Sequence, residues 1–81
     1  MNIHAIYDNG GETWDRYTVL TEPYYFGKSC DSLGLSDNCD QPNGFSQWCE
    51  AYEGKHLGKK IKLEQLPENV QNHIIKRLTE N

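Results

Sequence analysis

What this chain has little of narrows it first. Only 36% of its 81 residues are hydrophobic. No stretch approaches the roughly 20 consecutive apolar residues that a membrane span needs, so no membrane partner is expected. Residues 1–20 lack a basic start followed by an unbroken apolar run, so no secretory leader is expected and the cytoplasm is the expected location. Three cysteines are an odd set that suits no closed disulfide framework, and reduced thiols are the default inside a cell. Positive charge is scarce as well: eight Lys and Arg stand against twelve Asp and Glu, a net of −4. Binding along a duplex needs a broad basic surface to neutralise phosphates, so duplex nucleic acid is not an expected partner.

The charge that is present is unevenly spread. Residues 1–54 carry nine acids against Arg16 and Lys28, whereas residues 55–81 carry six bases against Glu64, Glu68 and Glu80. A small anion held by one local basic cluster fits this distribution, and so does an acidic surface that meets a basic protein. The length fits one domain, residues 1–81, burying only about 60% of its unfolded surface. A core that thin calls for support, and homo-oligomerisation is the most available form of it.

Along the chain, Ile3, Ala5 and Tyr7 alternate with their neighbours as in a half-buried strand. Asp8-Asn9-Gly10-Gly11 tolerates positive φ and predicts a hairpin turn. A second strand over Thr13–Thr21 would put Trp14, Arg16, Thr18 and Leu20 on one face and Asp15, Tyr17, Val19 and Thr21 on the other. Pro23 ends that strand, and Tyr24-Tyr25-Phe26 begins a third. Residues 28–44 read as an irregular loop, with a short strand at Leu33 and Leu35. Phe45–Tyr52 reads as a helical turn, and Lys59–Leu63 as a strand with Ile61 and Leu63 inward. Pro67 and Glu68 suit a helix start. Val70, Ile74 and Leu78, with Ile75 beside them, form an apolar stripe at helical spacing. The expected fold is α+β: a small antiparallel β-sheet of three to five strands with a C-terminal amphipathic helix packed on it.

Cys30, Cys39, Cys49 and His56 could form a zinc set, but structural zinc sites present a close Cys pair two to four residues apart. Here eight, nine and six residues intervene, so no metal is expected. Cys49 with His56 lacks a visible third group to orient the imidazole, so no catalytic pair is assigned. Arg16 beside Trp14 is a candidate platform for a planar anionic ligand, since guanidinium both stacks and grips phosphate. The bland alternative is an exposed Arg whose stem covers Trp14. Lys55-His56-Leu57-Gly58-Lys59-Lys60 is the one concentrated positive cluster. It is a candidate phosphate cradle, or else a solvated edge where Lys discourages strand association. The nine aromatic side chains exceed what so small a core can hold. Some, around Tyr24, Tyr25 and Trp48, are candidates for a subunit or partner interface.

Three segments together resemble a group of small, functionally uncharacterised bacteriophage-encoded proteins. They are Asp8-Asn9-Gly10-Gly11 running into Asp15-Arg16-Tyr17-Thr18-Val19, then Pro42-Asn43-Gly44-Phe45-Ser46, then His56-Leu57-Gly58-Lys59-Lys60-Ile61 followed by Leu66-Pro67. The resemblance implies an accessory protein acting inside an infected bacterium, and it assigns no catalytic residue and no cofactor. The expected function is non-enzymatic counter-defence. In that reading Arg16, His56, Lys59 and Lys60 hold the phosphates of a nucleotide-type host signal while Trp14 or Tyr17 stacks on its base. The alternative is an inhibitor that docks its acidic, aromatic face on a host defence enzyme or CRISPR-type complex. A small hydrolase using His56 or Cys49 is a third reading.

Overall fold

A computed structural model describes residues 3–13, 15–38, 44–48 and 51–79, without the side chains of Cys30 and residues 46–48. Trp14, Cys39 and Cys49, together with Pro42 and Asn43 of the motif above, lie outside the described residues. Six strands form one antiparallel sheet: β1 (Ile3–Asp8), β2 (Tyr17–Tyr25), β3 (Lys28–Leu35), β4 (Phe45–Trp48), β5 (Ala51–Tyr52) and β6 (Lys59–Ile61). Their order across the sheet is β4-β3-β2-β1-β6, with β5 sharing the outer edge of β3. Helix α1 spans Glu68–Thr79. The α+β class expected from the sequence is the one observed. No helix among the described residues is long and apolar enough to cross a membrane.

Three local expectations change. Pro23 does not end β2. The strand runs through it to Tyr25, and the β2–β3 register shifts between Thr21 and Tyr24, because a bulge is where a strand tolerates proline. The third strand then begins after Phe26-Gly27, both at positive φ, the backbone that a tight hairpin demands. Lys28–Leu35 is therefore a full strand and not loop. Its Ser29 and Ser32 are buried, and Ser29 Oγ lies in hydrogen-bonding contact with the Thr21 and Asp31 carbonyls while accepting from Thr21 N at 3.1 Å. Phe45–Trp48 is likewise extended, paired with β3 from Leu35↔Phe45 to Ser32↔Trp48. The Phe45/Trp48 spacing that suggests a helix is overridden by this ladder.

The core lies on one face of the sheet, between it and α1: Ile6, Tyr17, Val19, Leu33, Leu35, Leu66, Val70 and Ile74. A register shift between Ile3 and Ala5 lets Ile3 pack on the same cluster as Ile6. Leu63 reaches it from a 3-10 turn just beyond β6. Ile75, by contrast, is 48% exposed, so the apolar stripe of the helix is narrower than its sequence suggests.

The chain leaves β5 on one edge of the sheet and re-enters as β6 on the other. Residues 53–58 therefore cross the face opposite the helix, and that crossing creates the site.

Candidate functional site

Two anchors hold the crossing segment down. At its start, Glu53 accepts from the Tyr7 hydroxyl at 2.5 Å and the Tyr24 hydroxyl at 2.7 Å. His4 Nε2 lies 3.6 Å from the same carboxylate, and its ring stacks on Tyr24 with centroids 3.7 Å apart. At its end, Gly58 has φ 95° and presses against β1. A Cβ there would stand 2.3 Å from the Asp8 carbonyl oxygen and 2.5 Å from Asn9 Cα. Between the anchors, a single 3-10 turn over Lys55–Leu57 spans the sheet face.

The opening hairpin closes the other side. Asn9 organises it: its side-chain oxygen accepts from the Gly11 and Glu12 amides at 2.9 and 3.1 Å, while its Nδ2 donates to Thr13 Oγ1 at 2.8 Å. This Asx-type turn needs a short amide side chain, which explains the Asn before two glycines. Strand β2 begins only at Tyr17, so strict alternation does not extend back through Asp15. Asp15 and Thr18 fall on the crossing-segment side, whereas Arg16 and Tyr17 both reach Asp37 on the helix side. The face assignment made by extending the strand to Thr13 is corrected accordingly.

Sheet face, crossing segment and hairpin together enclose a cavity of about 280 Å³, lined by Asn9, Thr13, Asp15, Thr18, Ser32, Gly34, Ala51, His56 and Leu57. Thr18 alternates with core-facing Tyr17 and Val19, as Ser32 and Gly34 do with Leu33 and Leu35, which sets the cavity on the non-helix face. Two polar atoms of lining residues, Asp15 Oδ1 and Ser32 Oγ, are buried behind its surface without a hydrogen-bond partner. Buried polar groups are nearly always satisfied, and one left alone costs about 1–3 kcal/mol. The recess, bordered by three separate parts of the chain, is the candidate site.

The residues singled out in the sequence are distributed unevenly about it. His56 lines the cavity. Lys59 and Lys60 are exposed and pair in register with Asp8 and Tyr7, so the basic turn and the opening hairpin do meet. Alternation puts Lys60 on the cavity face with Tyr7. Arg16 lies elsewhere and is already engaged: Nε and Nη2 grip Asp8 at 2.8 and 3.2 Å, and Nη1 reaches Asp37 at 3.1 Å. Tyr17 is buried in the core, its hydroxyl donating to Asp37 at 2.8 Å, so its ring offers no free face to a base. Among the described residues, an aromatic beside Arg16 is Tyr17, with the guanidinium carbon 5.2 Å from the ring centroid. Sequence reasoning passed over Asp15, Ser32 and Glu53. No spacing announces them: Asp15 and Ser32 line the cavity, and Glu53 anchors the start of the crossing against Tyr7 and Tyr24.

These pairings govern stability against pH. Tyr7 and then Tyr24, by donating to Glu53, hold its carboxyl below the ordinary 4.5, and Arg16 holds Asp8 below 3.8. A lowered folded pKa adds stability above the unfolded value and loses it as pH falls. Tyr7, through its bond to Glu53, and Tyr17, through burial, are pushed up to about 12. A raised pKa works oppositely, so their contribution is complete below 10 and lost toward 12. Urea midpoints measured against pH should therefore be flat between about pH 6 and 9 and fall on both sides. In Glu53→Gln the acid limb should be shallower.

Fold and site together define a class: a small α+β domain with one sheet face given to a helix and the other to a roofed, partly polar cavity. No protein-family model, no curated protein and no solved structure matches the chain. Among the described residues, no group of three or more His, Cys, Asp or Glu is arranged to hold a metal ion.

Proposed function

We propose that this chain is a non-enzymatic binding protein that sequesters a small nucleotide-type molecule in the cavity beneath the His56 turn. The carrying observation is the recess itself, bordered by Asn9, Thr13 and Asp15 of the hairpin, Thr18 and Gly34 of the sheet, and His56 and Leu57 of the crossing segment. Convergent polar groups in an otherwise apolar recess are the mark of a ligand pocket. Lys55, Lys59 and Lys60 are exposed, and none engages a carboxylate among the described residues. Lys60, on the cavity face, is the better placed to meet phosphates at the rim, whereas Lys59 shares the opposite face with Asp8, and Arg16, held by two carboxylates, is poorly placed to help. The resemblance to phage proteins supports an accessory, counter-defence role in the cytoplasm of an infected cell, with the captured molecule a host signal, and the thin core of so small a domain supports a homo-oligomer.

A thermal-shift panel of cyclic, linear and ADP-ribose-type nucleotides tests this. Ligand at 100 times its Kd should stabilise by about 2.7 kcal/mol, a rise of roughly 10–20 °C in so small a domain. No shift across the panel would refute it.

One observation favours a second reading, an inhibitor directed at a basic host protein. The β2–β3 hairpin tip presents Phe26, 99% exposed, beside Tyr25 and Tyr52 at 58% and 59%. Aromatics so placed act as anchors in protein interfaces. Salt-sensitive capture of a host partner that is lost in Phe26→Ser would support this reading over the first.

A further inference from the structure

The two edges of the sheet are guarded differently. On β6 the outer edge carries Lys59 and Lys60, and lysine there repels a like strand. At the other side, β4 and β5 contain no charged residue, and among the described residues no strand covers them. The β5 end of that edge meets the β2–β3 hairpin tip, where Phe26, Tyr25 and Tyr52 are 99%, 58% and 59% exposed. Resting on the homo-oligomer reading above, we infer that a second copy of this chain docks on this corner, pairing along the β5 edge about a two-fold axis and burying the three rings.

Register and backbone make the corner one surface. Tyr25 lies opposite Lys28, and Lys28 opposite Tyr52, so these side chains share a face. Lys28 Nζ stands 5.7 Å from the centroid of the Tyr52 ring. The Glu53 amide donates to the Gly27 carbonyl at 2.9 Å, which ties the end of β5 to the turn that carries Phe26. That turn is built against preference. Phe26 and Gly27 have φ of 53° and 80°, a two-residue turn that favours Asn-Gly, and a bulky side chain in this backbone region is an outlier. The ring, almost fully exposed, gains nothing within its own fold in return, so the strain points to a use outside it. Charge selects a second copy over a basic partner. Lys28 sits at the centre of the row, where a basic surface would meet like charge, whereas the β5 strands that pair carry none. Aromatic side chains bury about 150–250 Å² each, so at these exposures the three rings offer roughly 400 Å² per copy. That is about half of the ~800 Å² on each side of a stable interface, and the adjoining strand edge supplies the remainder. A two-fold pairing closes on itself, so the assembly is a dimer.

Sedimentation equilibrium without nucleotide, from about 1 to 300 µM, tests this. The mass should rise from 9.4 kDa toward twice that value. Phe26→Asn, which gives the turn its favoured residue in place of the ring, should weaken the dimer at least about tenfold. The melting temperature of the dilute protein should stay unchanged or rise. Tyr52→Glu should weaken the dimer too, because the new carboxylate faces Lys28 within one copy but meets its like near the two-fold axis. Ile75→Glu, at the exposed apolar residue of α1, should leave the mass unchanged. Both tip substitutions fall on exposed residues, and should one variant not fold, the other decides. A monomer at every concentration overturns the inference and leaves the tip to a host partner. So does a dimer that survives both tip variants or is lost in Ile75→Glu. With no nucleotide present, none of these outcomes bears on sequestration, which the thermal-shift panel decides.

Discussion

Gly58→Ala should unseat the roof of the cavity and cost about 2–4 kcal/mol in stability, lowering Tm by roughly 10–25 °C. Two penalties combine. Gly58 has φ 95° and ψ −142°, a conformation that L side chains rarely adopt. The new Cβ would also stand 2.3 Å from the Asp8 carbonyl oxygen and 2.8 Å from Asn9 N. These are backbone atoms of a paired strand end and cannot swing aside as a side-chain tip would. Gly11→Ala separates the two penalties, because Gly11 has a similar φ of 91° and a Cβ there would meet nothing within 4 Å. It should lose only the conformational part, about 1 kcal/mol. Equal losses in the two variants, measured by urea denaturation, would mean that the turn does not need its close approach to β1. Because Gly58 also fixes where Leu57 and His56 sit, Gly58→Ala should weaken nucleotide binding even below its Tm, and Gly11→Ala should do so less.

What the sequence made legible was the local chemistry. The terminal helix was readable from Pro67, Glu68 and the i, i+4, i+8 spacing of Val70, Ile74 and Leu78, and the opening turn from its Asn-Gly-Gly. The strand Lys28–Leu35 was not, because Ser29, Ser32 and Gly34 have poor strand propensity and fit only against their particular neighbours. Their small size lets the chain pack closely there, but that reason exists only once β2 and β4 flank them. Arg16 illustrates the same limit. Its type and neighbourhood suggested a free guanidinium, yet Asp37, twenty-one residues away, takes one of its donors. The recess lined by Asp15, Ser32 and His56 is completed by a chain crossing between opposite sheet edges, and no short-range pattern encodes it. The meeting of the His56–Lys60 turn with the hairpin was posed by the sequence as a question, and the Asp8–Lys59 register answers it.

Ile74→Ala is expected to be the most damaging side-chain truncation, at about 2–5 kcal/mol, with Tm down by roughly 10–30 °C, because Ile74 is fully buried between helix and sheet. Ile75→Ala, one residue on, should stay within about 0.5 kcal/mol, since that side chain is 48% exposed. The contrast tests the rotation of the helix on the sheet: comparable losses would mean that α1 sits turned by most of a residue from the arrangement described. It also tests whether the two faces of the sheet do separate work. Ile74 packs against Tyr17, Val19, Leu33 and Leu35, while the cavity is built from the intervening Thr18, Ser32 and Gly34 on the opposite face. Below its lowered melting point, Ile74→Ala should therefore keep the parental nucleotide affinity and still show a ligand-induced rise in Tm. Gly58→Ala, which moves the cavity roof, should by contrast show a reduced rise. If Ile74→Ala abolished binding in a sample that circular dichroism shows to be folded, the helix would belong to the site, and the division of the sheet into a stabilising face and a binding face would have to be abandoned.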